Sequence, residues 1–548
     1  MRMRFSGRSW SSGELIVAVA FFIALFCNVG FFTSAARAVG TSASGLPFLG
    51  SLFVQISTLF ILVLSALCHR WLVKPVLIFF LLVSSVLTYF TTKYGTIFDF
   101  QMISNVLETD SAEAGDLLNI QLAVYVLLLG LLPALFVLRA RVVHPHWKEE
   151  TVSRLKLAGV AGAVLLVSVL SFSAHNFSLS REHRDVTSKV IPTYAFYSVF
   201  KLAMRSLKKN GGPFVTVGAD AHTPSTDNHH ELVIMVVGET ARADHWGLNG
   251  YRKNTTPRLS EEGVINFPDF WSCDTSTAKS VPCIFSSLER ASFDTHRAAN
   301  RDNALDILKR SGVSVLWRDN NSSSKGVADR VAYQDYRTSE RNTVCEQGEC
   351  RDEGMLRGLQ CYIDAQNGDV LIVLHQMGNH GPAYYKRYPA AFERFSPVCR
   401  TNDLGSCSEE EINNAYDNAI LYTDHFLSEV IELLKKNDGK FETAMIYASD
   451  HGESLGEYGI YLHATPYVIA PEAQKHVPAV MWFGEAIQHD LDLSTMEQRR
   501  KDRWSHDNLF HTLLGLFEVN SLAYDRRMDI LTHVEEASAA QTRDDGVR

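Results

Sequence analysis

Two apolar runs in the C-terminal half of the chain end in residues that bind metals. Val236-Val237-Gly238 leads into Glu239-Thr240, and Ala448-Ser449 leads into Asp450-His451-Gly452-Glu453. An adjacent carboxylate and imidazole just after a buried strand suit zinc or manganese. With Glu239 they make three ligands and leave a fourth position for a reacting oxygen, the pattern of a catalytic zinc site. The blander reading is capping: Glu239 at the N-terminus of a helix beginning near Thr240, and Asp450 as an N-cap beside a surface histidine. Between the two runs, Cys273 and Cys283 bracket Asp274-Thr275-Ser276-Thr277-Ala278-Lys279-Ser280-Val281-Pro282. Thr275, Ser276, Thr277 and Ser280 are all candidate nucleophiles, and all are equally residue types that cap helices. A bridge between the flanking cysteines would hold the segment rigid, as positioning a nucleophile requires. Metal coordination would lower the hydroxyl pKa enough for attack at neutral pH. The chemistry of such a set is one-metal phosphoryl transfer.

The elements around these residues alternate. Strands are predicted over Leu232 to Val237, Val313 to Trp317, Val370 to Leu374, Ala444 to Tyr447 and Val477 to Trp482, with helices over Asn303 to Arg310 and Asn413 to Lys436. Continuous apolar strands alternating with helices indicate an α/β layered fold with a mostly parallel sheet. Ligands in such folds gather at the carboxyl ends of strands. Those ends carry Gly238-Glu239, Arg318-Asp319-Asn320-Asn321, His375 and Ser449-Asp450-His451.

The N-terminal third has a different character. Within 548 residues, an overall hydrophobic content of 46% averages an apolar region with a polar one. Five runs approach the roughly 20 residues that span a bilayer: Leu15 to Ala35, Leu46 to Cys68, Leu72 to Phe90, Leu122 to Leu138 and Leu157 to Ala174. Arg2, Arg4 and Arg8 precede the first, and Thr33-Ser34-Ala35-Ala36 resembles a cleavage site, but four further spans favour a retained anchor. Arg70, Lys74, Arg139, Arg141 and Lys148 lie in the loops of one side, and Asp99, Glu108, Asp110, Glu113 and Asp116 in a loop of the other. With the N-terminus inside, that places everything after about residue 175 outside, in the periplasm of a bacterium. A net charge of -9 argues against a nucleic-acid-binding surface.

The cysteines agree with export. Cys273 and Cys283, Cys345 and Cys350, and Cys399 and Cys407 are close in sequence, and short-loop disulfides are natural in an oxidising compartment, although sequence leaves other pairings open. Cys361 is left over and expected to be buried. Residues 175–230 look like a connector, with Tyr194 to Phe200 and the cations Lys201, Arg205, Lys208 and Lys209 fitting either an interfacial or an interdomain helix, followed by Asn210-Gly211-Gly212-Pro213. The expected organisation is therefore a transmembrane domain over 1–174, the connector, and a catalytic domain over 231–548.

These motifs together resemble the lipid A phosphoethanolamine transferases, a family of the alkaline-phosphatase/sulfatase-like superfamily that includes the mobile polymyxin-resistance enzymes. The residues that carry the resemblance are Gly238-Glu239-Thr240-Ala241-Arg242, Thr275 to Ala278 with Ser280 to Cys283, and Trp317 to Asn321. His375-Gln376-Met377-Gly378-Asn379-His380-Gly381-Pro382, Asp450 to Ser454 and Tyr461-Leu462-His463 complete the set. The resemblance implies zinc at Glu239, Thr277, Asp450 and His451, with Thr277 accepting the phosphoethanolamine group. It places His380 and His463 near the transferred phosphate, as proton carriers or around a second, weaker metal, and Asn321 and Lys325 at the substrate pocket. It further implies phosphatidylethanolamine as donor, lipid A as acceptor, release of diacylglycerol, and a multi-pass monomer of the bacterial inner membrane whose product weakens polymyxin binding.

The chain departs from the family pattern twice. Asp274 stands where many relatives have glycine, and Ser324 and Ala328 stand where relatives often have cysteines, which leaves the loop from Asn321 to Lys325 without that bridge. Transfer to another envelope glycan such as the lipopolysaccharide core, hydrolysis by a zinc phosphodiesterase, and an inactive scaffold are the alternative functions.

Overall fold

The computed structural model describes residues 9–39, 45–109, 111–173, 175–176, 179, 184–207, 213–224, 229–346 and 348–531. Arg2, Arg4, Arg8, Asp110, Ala174, Lys208, Lys209, Asn210, Gly211 and Gly212, and the side chains of Glu108, Glu113 and Arg205, lie outside that description. The chain divides into two units. The first comprises Met1–Ser104, Leu118–Leu207 and Tyr458–Tyr461; the second comprises Asn105–Leu117, Lys208–Glu457 and Leu462–Arg548.

In the first unit, four helices among the described residues are long and apolar enough to cross a membrane: Gly45–Leu67, Val73–Lys93, Ile120–Arg139 and Trp147–Ser171. A fifth span is counted only if the pair Ser12–Cys27 and Val29–Val39, bent by 59°, is one crossing. The break falls at Asn28, after a π-turn over Ile23–Cys27. Its side-chain amide donates to the carbonyls of Ile23 (3.0 Å) and Ile191 (2.9 Å), and its Oδ1 accepts the Ile191 N–H at 3.0 Å. A polar side chain that takes over backbone partners is a regular cause of helix kinks, and hydropathy does not reveal it. The Thr193–Leu207 helix belongs to this unit.

The second unit is built on a seven-stranded sheet. In chain order its strands are β1 (Glu231–Gly238), β2 (Ile265–Phe267), β3 (Ser314–Asp319), β4 (Ala332–Asp335), β5 (Val370–His375), β6 (Glu442–Ser449) and β7 (Ala479–Phe483). Their spatial order is β2-β7-β6-β1-β5-β3-β4, with β6, β1, β5, β3 and β4 parallel to one another and β7 antiparallel to both of its neighbours, β6 and β2. The sheet is therefore mixed around a parallel centre. β1, β5 and β6 are buried along their whole length, which is why they read as unbroken apolar runs rather than alternating ones. One face packs against the helices Ala304–Arg310 and His506–Leu516, through Val233, Met235, Ile446, Leu305, Phe510 and Leu513 among others. The Glu409–Lys435 helix, opened by a Ser408–Glu411 capping box, lies along β1 and β6.

Disulfides join Cys273 to Cys283, Cys345 to Cys350, and Cys399 to Cys407. Cys361 corrects its expectation: it is a free, exposed thiol. It sits within the short helix Leu359–Asp364, which buries Leu359 and Ile363 and turns Cys361 outward.

Candidate functional site

The register of the parallel strands assembles the candidate metal-binding group. Val237 of β1 pairs with Ala448 of β6, and Gly238 with Ser449, so the next residues, Glu239 and Asp450, leave adjacent strands at the same level. Both are fully buried, as is His451, so His451 is not a surface histidine, and no helix begins directly after Asp450 for it to cap. No helix starts at Thr240; a short 3-10 turn begins at Ala243. The ligand atoms of Glu239, Asp450 and His451 all lie within 4.8 Å of one another. His451 Nε2 is 3.6 Å from Glu239 Oε1 and 3.3 Å from Asp450 Oδ2.

Backbone geometry holds this group in place. Thr240 adopts φ 53°, a left-handed conformation costly for a β-branched residue. Its N–H donates to Asp450 Oδ1 at 3.2 Å, and its carbonyl accepts from the Tyr416 hydroxyl at 2.6 Å. Gly378 also has positive φ, and a Cβ there would meet the Glu239 carbonyl oxygen at 2.9 Å. Asp352 fixes that loop by accepting the N–H groups of Met377 and Gly378, and burial pushes its carboxyl up.

The electrostatics fit a cation. His451 Nδ1 faces the Gly452 carbonyl at 3.0 Å, which assigns its proton to that nitrogen and leaves the Nε2 lone pair toward the carboxylates. Burial, and then the neighbouring His463, hold the imidazole well below its usual pKa, in the neutral form that ligates metals. Burial raises the Asp450 carboxyl. Its Oδ2 is buried and accepts no hydrogen bond among the described residues. An orphaned carboxylate oxygen of this kind is expensive unless a cation meets it.

Thr277 is the hydroxyl that reaches the group. Its Oγ1 lies 3.3 Å from Glu239 Oε2 and 3.1 Å from His451 Nε2. It opens the helix Thr277–Ile284, whose N-terminal N–H groups favour phosphate. The other hydroxyls are engaged elsewhere: Thr275 donates to the Thr465 carbonyl, Ser276 to Asn105 Oδ1, and Ser280 to the Asp274 carbonyl. The Cys273–Cys283 bridge closes the segment. Asp274 is buried and paired with Lys279 at 2.7 Å, so the extra carboxylate is neutralised locally.

The remaining candidates fall at different distances. The His463 ring centroid is 4.5 Å from that of His451 and 5.3 Å from that of His380, and its Nδ1 is 3.4 Å from buried Glu453. Asn321 donates to Glu239. Lys325 lies in the same loop with φ 51°, and its N–H donates to Ser323 Oγ at 3.3 Å. Ser324 Oγ accepts the Ala328 N–H at 3.2 Å, closing the turn that relatives are expected to close with a disulfide.

Several supports lay beyond sequence reasoning. His506 accepts the Cys273 N–H on Nδ1 (3.0 Å) and donates from Nε2 to the Ser449 carbonyl (2.9 Å), joining the segment that carries Thr277 to the strand that leads into Asp450. Arg387 donates to the His380 carbonyl at 2.7 Å and pairs with Asp116 at 2.6 Å. The signal for Arg387 was faint: a cation five residues after Pro382 in a motif otherwise already used.

A carboxylate-histidine group able to hold a metal at the carboxyl ends of parallel strands, faced by a hydroxyl at a helix N-terminus, fits a domain of the sulfatase class, and residues 231–519 match the sulfatase family. Residues 56–207 match the family described as phosphoethanolamine transferase EptA/EptB. The chain is 43% identical to phosphatidylethanolamine transferase Mcr-2 of Escherichia coli, over 92% of this chain and 95% of that one. It is 38% identical to phosphoethanolamine transferase EptA of Escherichia coli strain K12, over 94% and 96%. The structure of the integral membrane lipooligosaccharide phosphoethanolamine transferase A from Neisseria meningitidis superimposes with a TM-score of 0.92 at 34% identity, covering 96% of this chain and 99% of that one. The chain belongs to the phosphoethanolamine transferase family.

Proposed function

We propose that this chain transfers phosphoethanolamine from phosphatidylethanolamine to a phosphate of lipid A through a covalent intermediate on Thr277. The observation that carries the reading is the Thr277 hydroxyl in contact with both Glu239 and His451. A relative named phosphatidylethanolamine transferase supports the donor, and one named Kdo(2)-lipid A phosphoethanolamine 7''-transferase supports an acceptor of the lipid A class without naming a phosphate of it.

Glu239, Thr277, Asp450 and His451 would hold a zinc ion, whose charge lowers the hydroxyl pKa and offsets negative charge on the phosphoryl oxygens. Thr277 Oγ1 attacks phosphorus, forming the Oγ1–P bond as the P–O bond to diacylglycerol breaks. His380 or His463 carries the proton to the departing oxygen. A lipid A phosphate oxygen then attacks the same phosphorus, and the Oγ1–P bond breaks to restore the hydroxyl. Lys325 offsets phosphate charge at the pocket, Asn321 orients Glu239, and a second, weaker metal near His380 and His463 belongs to the same reading. Excluding water from the intermediate separates transfer from hydrolysis.

The reading places residues 1–174 in the inner membrane, 175–230 as connector and 231–548 in the periplasm, acting as a monomer and lowering surface negative charge. Product analysis with and without lipid A tests it. Transfer predicts modified lipid A and little free phosphoethanolamine, whereas release of free phosphoethanolamine at the same rate without acceptor contradicts it.

A further inference from the structure

A cavity of about 340 Å³ opens beside the nucleophile segment, lined by Trp271, Arg290, Tyr467, Lys475, Arg503 and Asp507. Its charge is unbalanced, with three cations against one carboxylate. Arg290 lies over one ring, 4.3 Å from the Tyr467 centroid, and Lys475 lies 5.3 Å from the same centroid. Arg503 lies 4.3 Å from the Trp271 centroid. The rings set the positions of the three cations, and no side-chain ion pair joins Arg290, Lys475 or Arg503 to an acid among the described residues. Burial lowers the Lys475 pKa, the Glu472 charge offsets part of that shift, and repulsion from Arg290 adds to it. An anion between them would relieve the repulsion. Asp507 does not fill this role: its Oδ1 accepts the Arg290 backbone N–H at 2.7 Å, and burial raises its carboxyl.

The cavity is tied to the reacting hydroxyl. Cys273 also lines it and lies four residues before Thr277, so about 14 Å of extended chain is the most that can separate their Cα atoms. The Tyr467 side is fastened to the same segment. The Thr275 hydroxyl donates to the Thr465 carbonyl at 2.6 Å, and the Ala464 N–H donates to the Thr275 carbonyl at 2.7 Å. The Tyr467 hydroxyl donates to the Ser272 carbonyl at 3.2 Å. A rigid strip of chain therefore connects a phosphoryl-transfer centre to a cluster of two guanidinium groups and an ammonium. Guanidinium forks match phosphate geometry.

We propose that this cavity binds a phosphate carried on a saccharide of the acceptor lipid, a second phosphate on the same molecule whose other phosphate attacks at Thr277. The proposal rests on the transferase reading above and adds to it a subsite for orienting the acceptor. Two fixed anions on one acceptor would set which phosphate meets the nucleophile, as a remote binding contact does when it orients a reacting group.

The test uses the purified full-length protein, with Arg290→Gln/Arg503→Gln and the charge-keeping Arg290→Lys/Arg503→Lys. Both arginines are exposed, so these replacements leave the core intact. Acceptor KM and kcat are measured with bisphosphoryl and monophosphoryl lipid A, and phosphoethanolamine loading of the protein is followed by intact mass in the same samples. The expected result is a rise of about tenfold or more in KM for the bisphosphoryl acceptor in the Gln variant, tenfold being the size of one lost charge-assisted hydrogen bond. The monophosphoryl KM, kcat and donor loading stay unchanged, and the Lys variant recovers most of the loss. Inorganic phosphate should compete with the bisphosphoryl acceptor in the wild type and lose that effect in the Gln variant. A free sugar phosphate competing better than inorganic phosphate would locate recognition in the saccharide as well. An unchanged bisphosphoryl KM, or an equal rise for both acceptors, overturns the subsite while normal loading leaves the transferase reading standing. Absence of loading in the wild type overturns the transferase reading itself.

Discussion

The side-chain amide of Asn321 donates to Glu239 Oε2 at 2.6 Å, and the same nitrogen donates to the Gln376 carbonyl at 2.8 Å. One residue at the end of β3 thus fixes a carboxylate at the end of β1 across the intervening strand β5. Asp319, two residues earlier, accepts the Asn321 N–H at 3.0 Å and so sets the turn that delivers the amide.

Asn321→Ala should therefore act through Glu239. Loss of a partner behind a metal ligand typically costs about 10–100-fold in metal affinity or activity. Metal content by elemental analysis should fall with activity, and excess zinc should restore part of both. An inactive variant with full metal content would assign Asn321 to substrate alone.

The Cys273–Cys283 bridge closes a loop of sequence separation 10 around the Thr277 segment. Cys273→Ser/Cys283→Ser should cost about 2–3 kcal/mol on loop-entropy grounds. Loading of Thr277 should drop further than stability explains, because the bridge also fixes the attacking hydroxyl. Thermal melting and intact mass measured on one preparation separate the two effects.

Acid should weaken the fold through His506. Burial pushes its pKa from 6.5 down to about 4, so between those values the unfolded chain binds a proton that the folded chain refuses. Stability contributed by the neutral ring is complete above about pH 6.5 and is lost as pH falls toward 4, by roughly 3 kcal/mol at most. Asp424 and Asp529, each raised to about 6 by burial, act in the opposite direction. His506→Gln keeps a donor and an acceptor without the titrating ring. Urea denaturation at pH 7 and pH 5 should show a smaller acid loss in this variant than in the wild type; equal losses would remove His506 from the account.

What could be read from the sequence followed from local rules. β1, β5 and β6 are buried on both faces, so their runs are uninterrupted, and Glu239 and Asp450 stand directly after them. Helix boundaries slipped where polar residues extend a helix past its apolar part: the span expected from Leu157 begins at Trp147, with Glu149 and Glu150 in its first turn. Other features depend on partners far away in sequence. Asn28 breaks the first apolar run because Ile191 is there to receive it. His506 and Cys273 are 233 residues apart, and nothing local marks either for the other. Cys361 was expected to be buried because it lacked a partner, but helix phase decided its exposure.

The central claim is that Thr277 becomes covalently charged. Full-length protein incubated with phosphatidylethanolamine, alongside Thr277→Ala, should be examined by intact-protein and peptide mass spectrometry. The account predicts a phosphoethanolamine adduct on the peptide containing Thr277, absent in Thr277→Ala and discharged when lipid A is added. An adduct that persists in Thr277→Ala, or turnover of both lipids with no adduct at any time, would contradict it.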